Sequence, residues 1–390
     1  MADTYTVKNG KQGFFSKLAN SFISIPLGII IIIFGCGIIW NNEKKNVINI
    51  KDVKELRENI KDVSSSEVNK SNEGKLVATN GKLDFGDKYL VDGTFGISAL
   101  TPVLERKVEM YEWVESSETK NDETVYTYSK EWSTKIIDSS EFKKPTDHTN
   151  PTQMKYASES YKAESLKVGE FSLSNSFKDK LDADKEMLNL EPGVALPEGY
   201  AVNGKYITNS VNVEEPAIGD IRISFNYGEY DDVSVLGKQN GTTIEGYVTA
   251  KGSTISKLSK GTKTGAQLID AIESGNKMTK WIFRLLGVIL VCIGTSMLLS
   301  PLTTLIGAIP FLGKVVNGAV GVVSAFAGFA ISLIVMGIAW IVYRPVLGII
   351  LIVISVGLIV LAKMYLSKKS SETKEEPKEE VKEENKEENN

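Results

Sequence analysis

Apolar and polar positions divide this chain into two kinds of sequence. From Trp281 to Leu366 nearly every residue is apolar, and charge enters the interior only at Arg284, Lys314 and Arg344, with Lys363 near the end. Those positions, with Pro301, Pro310 and Pro345, cut the stretch into residues 281–299, 315–342 and 346–366. Each piece is long enough for a helix to cross a hydrocarbon core, which takes about 20 residues. A buried helix of a soluble protein is rarely apolar on every face for so long, so this stretch predicts a membrane anchor. A further apolar run covers residues 22–40. No small-residue cleavage site follows it, and it exceeds a usual signal-peptide core, so it reads as an uncleaved signal anchor ending at Trp40. A lipoprotein signal would use residues 33–36 with Cys36 lipidated, but Phe34 fits poorly there and the apolar run continues past Cys36.

Residues 41–280 alternate instead. Residues 41–75 are charged and weakly periodic, with a short helix expected over 51–60. Beyond Lys75 the pattern is that of strands. Asn80-Gly81, Asn203-Gly204 and Asn240-Gly241 lie between β-prone runs, and such pairs suit two-residue hairpin turns. Ile221, Ile223, Phe225 and Tyr227 alternate with polar residues, giving one buried and one wet face. Residues 107–114 and 124–132 flank a polar turn at 118–123 and read as an aromatic hairpin. Helices are expected over 158–166 and 179–190, and a last one over 265–274 leads towards Trp281. The fold class is therefore a multi-span α-helical membrane protein of four spans, with a large α+β, mainly antiparallel domain between spans one and two.

Charge refines this picture. The formal net charge is −4, and the tail after Lys369, with nine Glu and four Lys, carries −5 of it. What remains is near neutral, which argues against nucleic acid as a partner. Both cysteines, Cys36 and Cys292, fall in apolar runs, so the soluble part has no disulfide framework. Lys8, Lys11 and Lys17 before the first span, Lys314 in the loop between spans two and three, and Lys363, Lys368 and Lys369 at the end of the last span and just beyond it favour a cytoplasmic location for both termini. The domain of residues 41–280 then lies across the membrane, extracytoplasmic or lumenal.

Candidate chemistry is sparse. The single histidine, His148, sits among turn formers in Asp147-His148-Thr149-Asn150-Pro151 and reads as a hydrogen-bonded loop residue. The acidic pairs Asp231-Asp232 and Glu214-Glu215 read as wet loops. No cofactor, metal or catalytic site is expected, and no enzyme. In the spans, Arg284 lies close enough to the interface to snorkel, and Arg344 sits in the turn before Pro345. The third span carries small residues: Ser324, Gly328 and Ser332 every four positions, with Gly321 and Ala325 beside them. Such rows bring helix backbones together, within one chain or between copies. Residues 300–314 are too apolar for an ordinary loop and too short to span; they lie along the interface or re-enter partway. Residues 367–390 form an acidic Lys/Glu tail expected to be disordered. The aromatic residues Tyr111, Trp113, Tyr126 and Trp132 mark the candidate contact surface, with core packing as the plainer reading.

The order of parts resembles the transmembrane protein 43 family. Trp40-Asn41-Asn42-Glu43 follows the first span, and Asn72-Glu73-Gly74-Lys75-Leu76-Val77 comes later. The most distinctive match is Val108-Glu109-Met110-Tyr111-Glu112-Trp113-Val114-Glu115. Glu131-Trp132, His148 with Asn150-Pro151, residues 219–225 and Tyr343-Arg344-Pro345 complete it. The resemblance implies a protein of the endoplasmic reticulum and inner nuclear membrane that oligomerises and organises membrane protein complexes, with lamins and emerin as partners. It supplies no catalytic residue. The Lys, Asn, Ile and Glu bias also suits a prokaryote, where the plasma membrane replaces the nuclear envelope and lamins are absent. The leading expectation is a scaffold in the bilayer, self-associating and binding other membrane proteins. The alternative is a channel or channel regulator built on the glycine-rich spans; an ectodomain enzyme is the third reading.

Overall fold

The computed structural model describes residues 3–8, 14–120, 123–307 and 313–346, together with Ile350. The chain forms two compact units: Met1–Phe22 with Ile48–Thr279, and Ile23–Val47 with Lys280–Asn390.

The first unit is built on two large sheets. One has eight strands, centred on Val103–Lys120, which pairs antiparallel with Glu123–Ser133 on one side and Ile221–Tyr227 on the other. The alternation at Ile221, Ile223 and Phe225 does what the sequence reading expects: all three are buried, against Phe95, Leu104, Val108 and Met110. The other sheet has seven strands, and Asp232–Asn240 pairs with Leu76–Asp84 as well as with its own hairpin partner Thr243–Glu245. That extra pairing closes five strands into a small barrel, which removes open edges. Val77, Val168, Phe171, Phe177, Val235 and Ile244 fill it. The opposite face, with Leu76, Ala78 and Leu236, is covered by Val53, Leu56, Leu268 and Ile269 from two helix ends.

Several sequence expectations need correction. The helices expected over 158–166 and 179–190 are absent. Glu159–Lys162, Leu166–Val168 and Lys185–Glu186 are extended, and the helix in this region is a single turn, Asn175–Lys178. The competing principle is tertiary: Leu166 and Val168 alternate with Lys167, and the strand they form pairs with Phe171–Leu173 and Leu76–Asp84 to complete the barrel. Asn203-Gly204 and Asn240-Gly241 do turn hairpins, with both glycines at positive φ. Asn80-Gly81 does not; it lies inside the strand Leu76–Asp84, opposite Val233 and Ser234. A Cβ at 81 would stand 3.0 Å from Ser65 Oγ, a contact that a small shift of that hydroxyl relieves, so this glycine serves the strand without a turn's positive φ.

Asp3–Lys8 also departs from expectation. It pairs antiparallel with Glu123–Ser133 at the edge of the eight-stranded sheet. The sequence reading places residues 1–21 across a membrane from this domain. The ladder and a single crossing by residues 22–40 exclude one another, because ladder partners share one compartment.

The second unit is helical, and its first element is Ile23–Val47, the middle of the 46-residue helix Phe14–Asn59. That helix joins the expected span at 22–40 to the helix expected at 51–60, since residues 41–50 contain neither Gly nor Pro to break it. Gly265–Leu298 likewise merges two expected helices. Ser300–Gly307 forms a short helix where an interfacial loop is expected, with Pro301 in its first turn, where a missing N–H costs nothing. Gly313–Tyr343 is the third long helix. Among the described residues, three helices are long and apolar enough to cross a membrane. The expected fourth span, 346–366, lies outside the described residues except at Val346 and Ile350.

Candidate functional site: the charged end of the helix bundle

The bundle begins with its glycines. Within the helical unit, residues 23–47 of the first helix and 280–298 of Gly265–Leu298 run antiparallel in close contact. A side chain at Gly28 would meet the Gly294 carbonyl oxygen at 2.8 Å, and one at Gly294 would meet the Gly28 oxygen at 2.7 Å. Gly35 and Gly287 repeat this arrangement one heptad along, at 3.1 and 3.2 Å. Ser24 Oγ donates to the Met297 carbonyl at one end of the seam, and Asn42 Nδ2 donates to the Lys280 carbonyl at the other. Steps of seven from Gly28 to Gly35 to Asn42 face steps of seven from Gly294 to Gly287 to Lys280. That is the spacing that keeps one stripe of each helix against the other. The helix Gly313–Tyr343 joins through Gly328, where a Cβ would lie 2.6 Å from Cys292 Cα.

One end of this bundle carries charge. Arg284 Nε donates to Glu43 Oε1 at 2.6 Å, and Trp340 Nε1 donates to Glu43 Oε2 at 2.8 Å. Three helices therefore converge on one carboxylate, which is 1% exposed. Arg284 also lies over the rings of Trp281 and Trp340, and Trp40 meets Tyr343 edge-on at 5.5 Å. Breaking such a buried pair by removing one partner strands the other charge. The reading of Arg284 as a snorkelling residue is thus corrected: it is paired across helices. The signal was present in the sequence, since Glu43 is the only acid between Asp3 and Asp52 and Arg284 the only cation between Lys280 and Lys314.

The small residues of the third span separate into two groups. Ser324, Gly328 and Ser332 are buried, and Ser332 Oγ returns a hydrogen bond to the Gly328 carbonyl. Gly321 and Ala325 are exposed, and a Cβ at Gly321 would meet nothing within 4 Å. Cys292 Sγ approaches the Ala325 carbonyl at 3.6 Å.

In the soluble unit the four aromatic candidates are half-buried. Tyr111 faces Trp132 across the hairpin at 5.2 Å, and Arg222 lies over Trp132. Tyr126 pairs with Tyr5, while Trp113 meets the His148 ring edge-on at 4.6 Å. His148 is 2% exposed, stacked on Tyr128 at 3.6 Å, with Nδ1 3.1 Å from the Lys144 carbonyl. Burial and the hydrogen bond to Glu115 push the Tyr128 hydroxyl up to about 12. Asn150 is the residue the sequence reading undervalued: it accepts from Trp113 N–H and donates to the Trp113 carbonyl, completing the strand edge as a backbone would. Two carboxyls on the same strand are tuned oppositely. Burial raises Glu112, whose Oε1 accepts from Ile137 N–H and whose Oε2 has no hydrogen-bond partner among the described residues. Glu109 is held below the usual carboxylate range: burial opposes this, but Arg222 and Lys107 bond to it and win. A pair buried more deeply, Arg106 with Asp92, is closed by Tyr161, Glu159 and the Ala157 carbonyl, so it is a strut. Asp231-Asp232 and Glu214-Glu215 gather no third ligand. Among the described residues no group of three or more His, Cys, Asp or Glu is placed to hold a metal ion.

A β-rich unit on the same chain as long apolar helices, three of them able by length and composition to cross a membrane among the described residues, defines an integral membrane protein. The family pattern of Transmembrane protein 43 matches residues 110–345. The chain belongs to that family. It is 28% identical over 389 residues to "Transmembrane protein 43" of Pongo abelii, covering 94% of this chain and 96% of that protein. The Homo sapiens protein of that name is 27% identical over the same shares. The "Transmembrane protein 43 homolog" of Drosophila melanogaster is 27% identical over 341 residues, 82% of this chain and 89% of that protein. No solved structure matches the chain.

Proposed function

We propose that this protein is a non-enzymatic membrane scaffold that self-associates and assembles other membrane proteins around it. The observation carrying this reading is how the bundle uses its polar and small residues. Gly28, Gly35, Gly287, Gly294 and Gly328 are spent on close contacts within the chain, and Glu43 and Arg284 on each other. Phe326, Phe329, Leu333, Ile334 and Ile338 stay exposed, and with Gly321 and Ala325 they offer an outer face to a lipid or protein neighbour. The channel alternative needs the glycines to line a path, and their use in helix contacts weighs against it.

The protein acts in the endoplasmic reticulum and inner nuclear membrane if its cell has a nucleus, with lamins and emerin as partners there, and in the plasma membrane otherwise. A fourth span follows Pro345, both termini are cytoplasmic, and the soluble domain lies across the bilayer. In this arrangement the crossing of residues 22–40 prevails over the ladder of Asp3–Lys8. Each centred Leu, Ile or Phe favours insertion by about 0.3–0.6 kcal/mol, and the run is rich in them, whereas the ladder adds six residues to a polar edge. The test is crosslinking with mass spectrometry on native membranes, using a tagged copy at its natural level. Crosslinks between copies, or to a constant set of membrane proteins, are expected. A monomer without crosslinked partners sinks the scaffold.

A further inference from the structure

Asn69-Lys70-Ser71 has the acceptor pattern of N-linked glycosylation, an asparagine followed two residues on by Ser or Thr, with any residue but Pro between. Asn150-Pro151-Thr152 and Asn240-Gly241-Thr242 come near the same pattern. Pro151 bars the first, and Asn150 is buried with its Nδ2 on two carbonyls. In the second, Asn240 pairs with Thr243 across a hairpin, and its Nδ2 reaches Glu245 at 3.4 Å. Asn69 differs on each count. It is exposed, as are Lys70 and Ser71, beside the single helical turn Lys70–Asn72. Its Oδ1 accepts from Ser71 N–H at 2.8 Å, and its carbonyl accepts from Gln239 Nε2 at 3.0 Å. Neither its Nδ2 nor the Ser71 hydroxyl bonds any described residue. Between Asp62 and Leu76 no strand forms, so this segment can be drawn into an enzyme's cleft without opening a sheet.

We propose that Asn69 carries an N-linked oligosaccharide. This modification requires the lumenal placement of residues 41–280 proposed above, in a cell with a nucleus. The donor is an oligosaccharide carried on a lipid pyrophosphate. Asn69 Nδ2 bonds to the anomeric carbon of its first sugar, and the bond from that carbon to the pyrophosphate oxygen breaks. The lipid pyrophosphate leaves with the electron pair, and the proton lost from Nδ2 passes to solvent. The bond from Ser71 N–H to Oδ1 survives, because the new linkage is made through Nδ2 alone. A bulky, solvated glycan here keeps other proteins off the surface around Gln239.

The tagged full chain is taken from its own cells and run on a denaturing gel before and after peptide N-glycosidase treatment. One discrete gain in mobility is expected, and release in heavy-oxygen water should place the label on Asn69. Asn69→Gln and Ser71→Ala each abolish the step, Ser71→Thr keeps it, and Asn240→Gln leaves it unchanged. Ser71→Ala preserves the folded turn, where Ser71 acts through its backbone N–H, so a loss there is not a failure to fold. Glu214→Thr supplies a control acceptor at Asn212, which is exposed and has the same kind of bond, its Oδ1 accepting the backbone N–H of residue 214 at 3.1 Å. No step in the unaltered protein but one in Glu214→Thr overturns the site and leaves the lumenal reading standing. No step in either overturns the lumenal reading, and the glycan with it. A step that survives Asn69→Gln and vanishes in Asn240→Gln moves the glycan to the hairpin and overturns Asn69.

Discussion

The two units solve the same problem, holding a fold together, with opposite materials. The soluble unit relies on size: Phe95, Phe171, Phe177 and Phe225 are fully buried, and a barrel closure leaves its central strands without open edges. The bundle relies on smallness. Water gives no drive to press one apolar helix against another in lipid, so its helices meet where side chains are missing, at Gly28, Gly35, Gly287 and Gly294. Its specificity comes chiefly from the charged junction at Glu43, with Ser24 and Asn42 bonding across the same seam. A deletion therefore harms the soluble unit and an addition harms the bundle.

The bundle is most vulnerable at that junction. Glu43→Gln leaves the Arg284 guanidinium without its counter-charge, and the expected cost is about 3–5 kcal/mol. It is read as a lowered denaturation midpoint of the bundle in detergent, with the soluble unit's protease resistance unchanged. Glu43→Gln with Arg284→Met recovers most of the loss; a double variant as unstable as the single one denies the coupling. Gly35→Leu is next, at about 1–3 kcal/mol for forcing side-chain volume into a filled contact. Gly37→Leu on the same helix, where nothing lies within 4 Å, sets the baseline, and equal effects at the two positions refute the glycine seam.

Smaller effects sharpen the soluble side. Burial raises Glu112 in the folded chain above its unfolded value of 4.5. The folded state then takes the proton first, so the stability gain is complete below 4.5 and is lost as pH rises through the folded value. Glu109 works the other way: its contribution is present above 4.5 and lost as pH falls through its depressed folded value. Urea midpoints of Glu112→Gln should exceed those of the unaltered protein at pH 7, and the gap should close on acidification. A gap that does not change with pH removes the buried charge as its cause. The smallest contribution is the ladder of Asp3–Lys8. Cysteines at Thr4 and Thr127, which face each other in it, should stay unlinked by a short bis-maleimide reagent in intact membranes. A pair at Val114 and Ser129 should link. Efficient linkage of the first pair puts the N-terminal strand on the domain's side and overturns the single crossing.

The division into apolar helices and a β-rich domain is legible from the residues alone, because hydrophobic run length and period depend on local order. The aromatic hairpin, the strand at Ile221 and two of three Asn-Gly turns are legible for the same reason. Pairing at a distance belongs to the folded chain. Asn80-Gly81 became strand because Asp232–Asn240 lay opposite it, and residues 158–166 became extended because sheet edges were open to them. Glu43 and Arg284, 241 positions apart, are each a lone charge at the end of an apolar run. Their isolation in sequence marks each as unusual, but only the fold shows that they meet. The seven-residue register of the glycines brings them together, and low dielectric makes the pairing obligatory.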